Sequence, residues 1–170
     1  MNNQKSIKVT YNFLNLNQQI YALCKNFNFY TAEEYNRKFN LDETWPGKRT
    51  FELSQESPFL YIHLLSLLES NGVEIHKYKR ILAHCCIRLA EDEDWIHVDE
   101  TDTVLIYLSP TNINSGTKFF DSQNNEITSV QFVQNTCVFF ESPLPHSSFG
   151  NHGDTIDNGR MTINIFCWRK

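Results

Sequence analysis

The chain has 170 residues, of which 41% are hydrophobic and 14% aromatic, so it can bury one sizeable core and is not intrinsically disordered. Fifteen basic and twenty acidic residues give a formal net charge of −5. This balance leaves no basic stripe for a nucleic acid, and no nucleic-acid partner is expected.

The opening MNNQKSIKV contains no apolar signal segment, and no stretch approaches the roughly 18 apolar residues of a membrane span. Five cysteines, an odd number, lie in apolar surroundings, which predicts reduced, buried thiols rather than a disulfide framework. The doublet in AHCC (83–86) has no second Cys/His pair at zinc-site spacing and is interpreted as core packing. We therefore predict a cytoplasmic protein with no membrane partner.

The N-terminal part begins with two short elements. SIKVTYNFL (6–14) predicts a first strand. NLNQQIYALCKN (15–26) predicts a short helix with Leu16, Ile20 and Leu23 on one side.

The stretch 27–55 is polar and is predicted to be irregular. Pro46 and Gly47 mark a turn within it. Lys48 and Arg49, which follow this turn, are interpreted as part of a solvated loop, with a substrate contact as the alternative.

SPFLYIHLLSLLESNG (57–72) carries strong helix signals. Ser57 is expected at the N-cap, Pro58 at the first helical position and Gly72 just past the end. His63 is expected on the flank of the apolar stripe rather than at a metal. The stripe that would pack against a sheet consists of Leu60, Leu64, Leu67 and Leu68.

From residue 73 onward, short strand patterns alternate with polar turns and no helical pattern of useful length interrupts them. Such antiparallel strands close most easily as a jelly roll, so we predict a mainly β (α+β) fold. It would be a cupin-like double-stranded β-helix with N-terminal helices packed on one sheet. The chain is taken as one domain, 1–170, with strand and helical support in 1–72 and the jelly-roll core in 73–170. Strands are expected in RILAHCCIRL, WIHVDE, TDTVLIYLSP, GTKFFD, QNTCVFFESP and GRMTINIFCW, with AEDED (90–94) as a solvent-facing turn.

WIHVDE (95–100) places His97 and Asp99 two residues apart in an extended stretch. Side chains at i and i+2 leave one face of a strand about 7 Å apart, so both groups can turn toward one metal ion. Taken by itself, the dipeptide is equally compatible with a solvated surface pair.

A third metal ligand is expected from a distant strand end. His146 in ESPLPHSSF follows two prolines that stiffen the turn and present its ring from a fixed backbone. His152 in GNHGD is the second choice. Two histidines and one carboxylate suit iron(II) with open coordination positions, and zinc is the chemical alternative.

The last strand, GRMTINIFCW (159–168), has one polar and one apolar face. Arg160, Thr162 and Asn164 share the polar face. In a jelly roll that holds a ligand this face can point inward, where a guanidinium grips a carboxylate by two parallel hydrogen bonds. Arg160 is therefore a candidate anion anchor. Tyr107 in TDTVLIYLSP is a second candidate, with a core tyrosine as the alternative.

The order of these parts resembles the iron(II)/2-oxoglutarate-dependent dioxygenase superfamily and, within it, the prolyl-4-hydroxylase-like branch. The resemblance rests on His97-x-Asp99, the strand VLIYLS, GTKFF, His146 after FFESPLP, and Arg160 at the start of the last strand. It covers 95–168, under half of the chain. One departure is the interval along the chain from His146 to Arg160, fourteen positions, which is long for the family.

The resemblance implies that His97, Asp99 and His146 bind iron(II) and that Arg160 pairs with the distal carboxylate of 2-oxoglutarate. The further cosubstrate contacts that it implies are Tyr107, Thr162 and Asn164. The implied reaction uses O2, decarboxylates 2-oxoglutarate to succinate and hydroxylates an unidentified substrate, such as a peptidyl, prolyl-like side chain. Ascorbate is the candidate reductant. Candidate pocket walls are Phe119, Phe120 and Phe140, with the loops at 27–55 and 147–158 at the entrance.

Two other functions stay open on the residues alone. A zinc hydrolase would use the same His/Asp/His ligands but would leave Arg160 without a task. A cupin-like module would bind a metal or ligand without turnover.

Overall fold

The computed structural model describes residues 6–150 and 152–170, and two antiparallel sheets form its core. Part of the predicted unexported start, residues 1–5, lies outside the described residues. The strands in the described part are β1 (Ile7–Tyr11), β2 (Lys48–Arg49), β3 (Tyr78–Arg88), β4 (Asp102–Tyr107), β5 (Asn112–Phe120), β6 (Glu126–Phe132), β7 (Thr136–Phe140), β8 (His146–Phe149) and β9 (Arg160–Arg169). The larger sheet has the order β1-β7-β4-β9-β3-β2 and the smaller one β6-β5-β8. The predicted mainly β jelly roll is confirmed.

The larger sheet buries both of its faces. On β9, Met161, Ile163 and Ile165 pack with helical residues in one apolar cluster. Arg160 and Thr162 alternate with them, and the guanidinium of Arg160 reaches a side chain of β5 in the smaller sheet. A second cluster fills the space between the sheets: Leu105, Tyr107, Phe119, Phe132, Val138, Phe140 and Leu144. The polar face of the last strand therefore points into the jelly roll.

The helices are α1 (Asn17–Cys24), α2 (Ala32–Phe39), α3 (Leu53–Glu56) and α4 (Pro58–Ser70), and none of these is long and apolar enough to cross a membrane. The predicted helix at 57–72 is present as α4. Ser57 occupies the N-cap position, but its side chain makes no capping hydrogen bond. The helix therefore starts on the fixed φ of Pro58, and the chain turns away at Gly72, whose φ is +85°.

The apolar stripe of α4 should dominate the stability of this side of the sheet. Leu64 is fully buried in the cluster that includes β9. We expect Leu64→Ala to lower the free energy of unfolding by about 2–5 kcal/mol, because it removes buried methyl groups and leaves a cavity. Ile62→Ala on the exposed side of the same helix, at 60% exposure, should change it by less than about 0.5 kcal/mol. Urea unfolding of both variants measures the difference, and equal losses would contradict the packing.

The predicted helix at 15–26 is present as α1, and its buried side is only partly the stripe of Leu16, Ile20 and Leu23. Ile20, Tyr21 and Cys24 are buried, whereas Leu16 and Leu23 are 53% and 43% exposed. The helix lies against the sheet on the face that carries Tyr21 and Cys24. The segment is helical as predicted, but the side chains that pack against the sheet belong largely to the neighbouring stripe.

The prediction of an irregular stretch at 27–55 was wrong. Helix α2 begins with a capping box in which the Thr31 side chain accepts from the Glu34 backbone and the Glu34 carboxylate accepts from Thr31. Strand β2 then adds the edge of the larger sheet, pairing with β3. The sequence TAEE (31–34) is typical of such a helix start, but the prediction followed the polar composition of the whole stretch.

Arg49 of β2 is not part of a solvated loop. Its side chain is 13% exposed and forms an ion pair with Glu43 at 2.6 Å. Its guanidinium carbon lies 3.5 Å from the ring centroid of Trp45 and 4.4 Å from that of Tyr35. Lys48 beside it is exposed, as expected.

The smaller sheet contains two strands that the sequence did not predict, β6 and β8. WIHVDE was predicted as a strand but makes only one isolated bridge, in which His97 pairs with His146 of β8. The AHCC doublet lies in β3, and all five cysteines are unpaired thiols, with Cys85 buried and Cys86 partly exposed.

Candidate metal centre

The structure brings the side chains of His97, Asp99 and His146 together. One ligand atom from each lies within 4.8 Å of the other two, and the Nε2 of His146 is 3.5 Å from Oδ2 of Asp99. The isolated bridge creates this arrangement, because the backbones of His97 and His146 exchange two hydrogen bonds of 3.0 and 2.9 Å. Asp99 follows two residues later on the same side of an extended chain.

Hydrogen bonds fix the orientation of both imidazoles. The Nδ1–H of His146 donates to the carbonyl of Leu144 at 2.9 Å, and that of His97 donates to the carbonyl of Trp95 at 3.2 Å. A carbonyl can only accept, so each ring carries its proton on Nδ1 and turns the lone pair of Nε2 toward the centre. This is the state in which histidine binds a metal, and the donor set therefore fits a divalent cation.

Burial keeps His146 neutral. Its pKa is lowered to about 4, first by loss of solvent and then by the neighbouring His97, against an opposing effect of Asp99. The rings of Phe140 and Phe119 lie 4.7 and 6.3 Å from it, measured between centroids. These two predicted pocket walls thus enclose the inner side of the centre.

The carboxylate of Asp99 is held by a neighbouring hydroxyl. Thr103 of β4 donates to Oδ2 of Asp99 at 2.9 Å. We expect Thr103→Val to weaken metal binding by about 10–100-fold while the fold is retained, because the carboxylate loses the bond that orients it. Titration of the apo protein with iron(II) or nickel(II) measures the affinity. Thr103→Ser keeps the hydroxyl and should retain it, and an unchanged affinity in the valine variant would contradict the orienting role.

A buried cation lies deeper in the jelly roll. Arg160 is 7% exposed, and its Nη2 donates to Oγ1 of Thr117 at 3.2 Å. The Tyr107 hydroxyl shares a 2.7 Å hydrogen bond with the same oxygen. Burial lowers the pKa of Arg160 and raises that of Tyr107. Among the described residues, no carboxylate lies within ion-pair distance of Arg160, and its Nε has no hydrogen-bond partner.

An uncompensated buried guanidinium is costly, so its position favours an anionic ligand that would complete it. The other two polar residues of β9 lie on the same face. Thr162 is 1% exposed and donates to Oδ1 of Asn164 at 2.7 Å.

Sequence reasoning missed a second buried arginine. Arg88 of β3 lies opposite Arg160 in the strand register. It forms an ion pair with Asp94 at 2.8 Å, and it also donates to Ser148 of β8. The AEDED turn is solvent-exposed as predicted, apart from the partly buried Asp92, although the carboxylate of Asp94 also pairs with the buried Arg88. The alternation of polar and apolar residues in β3 was the signal that could have placed Arg88 on the inner face.

His152 lies away from the three clustered ligands. Its Nδ1 is 3.4 Å from the hydroxyl of Ser115 in β5, and it does not join the metal-ligand group. Its neighbour Asn151, inside the predicted entrance loop, lies outside the described residues. The geometry therefore favours His146 over His152 as the third ligand.

No protein-family model matches the sequence, and no curated protein matches it. Solved structures do match. A prolyl-4-hydroxylase from Pseudomonas putida aligns at 15% identity over 98% of this chain and 94% of its own, with a TM-score of 0.66. A prolyl hydroxylase from Trichoplax adhaerens, in complex with a hypoxia-inducible-factor oxygen degradation domain peptide fragment, aligns at 14% identity over 98% and 85%, with a TM-score of 0.65.

A third match is HygX from Streptomyces hygroscopicus with nickel and 2-oxoglutarate bound, at 10% identity over 96% of this chain and 83% of its own, with a TM-score of 0.65. At such identities the likeness is one of fold. It spans nearly the whole chain, including the N-terminal part that the sequence resemblance did not reach. The chain therefore has the double-stranded β-helix fold shared by the prolyl-4-hydroxylases and other iron(II)/2-oxoglutarate-dependent oxygenases.

Proposed function

We propose that the chain is an iron(II)- and 2-oxoglutarate-dependent dioxygenase that hydroxylates a carbon of its substrate. The observation that carries this proposal is the buried Arg160, a cation without a carboxylate partner among the described residues, on the same inner side of the jelly roll as the three clustered ligands. A metal-binding module or a hydrolase needs the ligands alone. A dicarboxylic cosubstrate needs both the ligands and the cation.

The spacing between these two groups supports the proposal. On β5, Phe119 pairs with His146, which places it at the level of the ligands. Thr117, two residues away on the same strand, contacts Arg160. Two residues of a strand span about 7 Å, which is comparable with the length of a five-carbon dicarboxylate.

His97, Asp99 and His146 would hold iron(II) and leave positions open for small molecules. The bound metal would supply the activation of O2, with 2-oxoglutarate as the electron donor. Arg160 would orient the distal carboxylate through paired hydrogen bonds, and Tyr107 would donate its hydroxyl to the same group. Thr162 and Asn164 would line the space between the metal and Arg160, and the surrounding apolar walls would keep water out.

The reaction balances as follows: substrate, O2 and 2-oxoglutarate give hydroxylated substrate, succinate and carbon dioxide. One oxygen atom enters succinate and the other enters the new hydroxyl group. Ascorbate would serve as a reductant that returns the iron to the iron(II) state after uncoupled turnover.

For the substrate we propose a peptidyl, prolyl-like side chain, which the peptide-bound Trichoplax adhaerens structure supports by analogy of fold. We also propose a cytoplasmic location. The unpaired cysteines support it, because free thiols are typical of a reducing compartment.

The test is an assay of purified protein with iron(II), 2-oxoglutarate, O2 and ascorbate, in which succinate is measured with and without proline-containing peptides. We expect slow succinate formation without peptide, and its loss in folded Asp99→Ala. Hydrolytic activity with zinc, or tight 2-oxo-acid binding with no succinate under any condition, would instead support the hydrolase or the binding module.

A further inference from the structure

One polar side chain in the jelly roll has no role in the proposed function. His152 lies in the long interval between His146 and Arg160, and its Nε2 is buried without a hydrogen-bond partner among the described residues. Its other ring nitrogen, Nδ1, contacts the hydroxyl of Ser115. Ser115 itself is 1% exposed, so the imidazole closes over an interior position rather than over the surface.

The inward-facing residues of β5 mark three levels along the space between the two sheets. Phe119 pairs with His146 and marks the level of the metal ligands. Thr117, one step further, contacts Arg160 and marks the anchor. Ser115, one step beyond that, contacts His152. The imidazole therefore lies behind the guanidinium as seen from the metal ligands.

The chain reaches this position by turning back after β8. Gly150 has a φ of +94°, and a Cβ there would lie 2.2 Å from the carbonyl oxygen of Asn114 and 2.6 Å from Cα of Ser115. Only glycine fits this close approach without strain. This close approach holds Gly150 against the end of β5, the same end that His152 contacts through Ser115.

The surroundings of His152 keep its ring neutral. Burial, and next the charge of Arg160, lower its pKa to about 4. The nearby Arg88 is already compensated by Asp94 at 2.8 Å. A neutral, planar ring packed behind Arg160 can thus fill space there without adding a further positive charge.

We propose that His152 forms the end wall of the cosubstrate pocket and sets the length of the keto acid that Arg160 accepts. This inference rests on the proposed function. With the imidazole in place the guanidinium cannot retreat from the metal, so the pocket takes the five-carbon 2-oxoglutarate and rejects the six-carbon 2-oxoadipate. Interiors are packed closely enough that one additional methylene group is resisted.

The test compares the affinities of the nickel(II)-loaded full-length protein for 2-oxoglutarate and 2-oxoadipate by calorimetry. Discrimination of one methylene is typically 10–200-fold, and we expect a preference for 2-oxoglutarate of about that size. His152→Ala should bring the ratio of the two affinities close to one by improving 2-oxoadipate binding. His152→Gln, which keeps most of the side-chain volume, should retain the preference.

His63→Ala is the matched control. His63 is also a partly buried histidine whose Nε2 has no hydrogen-bond partner among the described residues, but it lies on α4, which packs on the opposite face of the larger sheet from Arg160. Its substitution should leave the ratio of affinities unchanged. If His152→Ala proves unstable in a melting experiment, His152→Ser makes the same space with a polar side chain.

The outcomes separate the two proposals. A wild-type protein that binds nickel(II) but no 2-oxo acid would overturn the proposed function. A wild-type protein that prefers 2-oxoglutarate, with variants that keep the same preference, would overturn the end wall alone. A ratio that moves equally in the His63 variant would also overturn it, since the effect would then not depend on the position of the imidazole near Arg160.

Discussion

Arg160→Ala is expected to abolish tight binding of 2-oxoglutarate while metal binding is retained. Removing one partner of a buried, charge-assisted pair costs about 2–5 kcal/mol, which corresponds to at least about thirty-fold in affinity. The loss should lie at the upper end of this range, because the guanidinium is buried and has no carboxylate partner among the described residues. Calorimetry with the nickel(II)-loaded protein measures the affinity directly.

Two further variants distinguish an anchor from a merely structural arginine. Arg160→Lys keeps the charge but loses the paired geometry, so it should bind 2-oxoglutarate with intermediate affinity. Arg49→Ala removes another largely buried arginine, which is already paired with the carboxylate of Glu43, and should leave the affinity unchanged. If Arg160→Ala kept the wild-type affinity in a folded protein, the cosubstrate would have to bind elsewhere.

The alternation rule predicted the central features of this fold and site. It placed Arg160, Thr162 and Asn164 on one face of the last strand, and the structure puts that face inside the jelly roll. It also placed His97 and Asp99 on one side of an extended chain, which the structure bears out. Both inferences depend on the geometry of a single strand, and this geometry is encoded locally in the sequence.

Features that depend on contacts between distant segments were not predictable in this way. Strand β8 is only four residues long, and it exists because its residues pair with β5 and with His97. The first residue of β8, His146, was predicted to lie in a stiff turn, because the pairing that places it in a strand is made with distant segments. Helix α1 likewise buries Tyr21 and Cys24 because of the sheet that lies beneath it.

Charged residues show the same limit. Arg49 was interpreted as part of a solvated loop because turns after Pro-Gly usually are, but its guanidinium is buried against the carboxylate of Glu43 and the ring of Trp45. Asp94 is exposed, as predicted for AEDED, yet its carboxylate pairs with the buried Arg88, which the sequence did not indicate. A sequence gives the number of charges but does not identify their partners, and burial of a charge depends on its partner.

The assignment of the third metal ligand has the clearest expected result. His146→Ala should weaken iron(II) binding by more than about 100-fold, since removal of a ligand costs more than the 10–100-fold typical of an outer contact. His152→Ala should leave the metal affinity unchanged, because that ring contacts Ser115 rather than the other ligands. Each variant removes one imidazole from the same stretch of chain, so each serves as the control for the other.

Anaerobic titration of each apo variant with iron(II), together with a melting curve, makes the comparison quantitative. His146 packs edge-to-face against Phe140, so its removal also leaves a cavity, and the melting curve separates this loss of packing from the loss of a ligand. His146→Gln fills part of that space without an imidazole and should also fail to bind tightly. Loss of metal binding in the His152 variant with retention in the His146 variant would move the metal centre toward the 150–158 loop. The positions of Arg160 and the cosubstrate would then have to be reassigned with it.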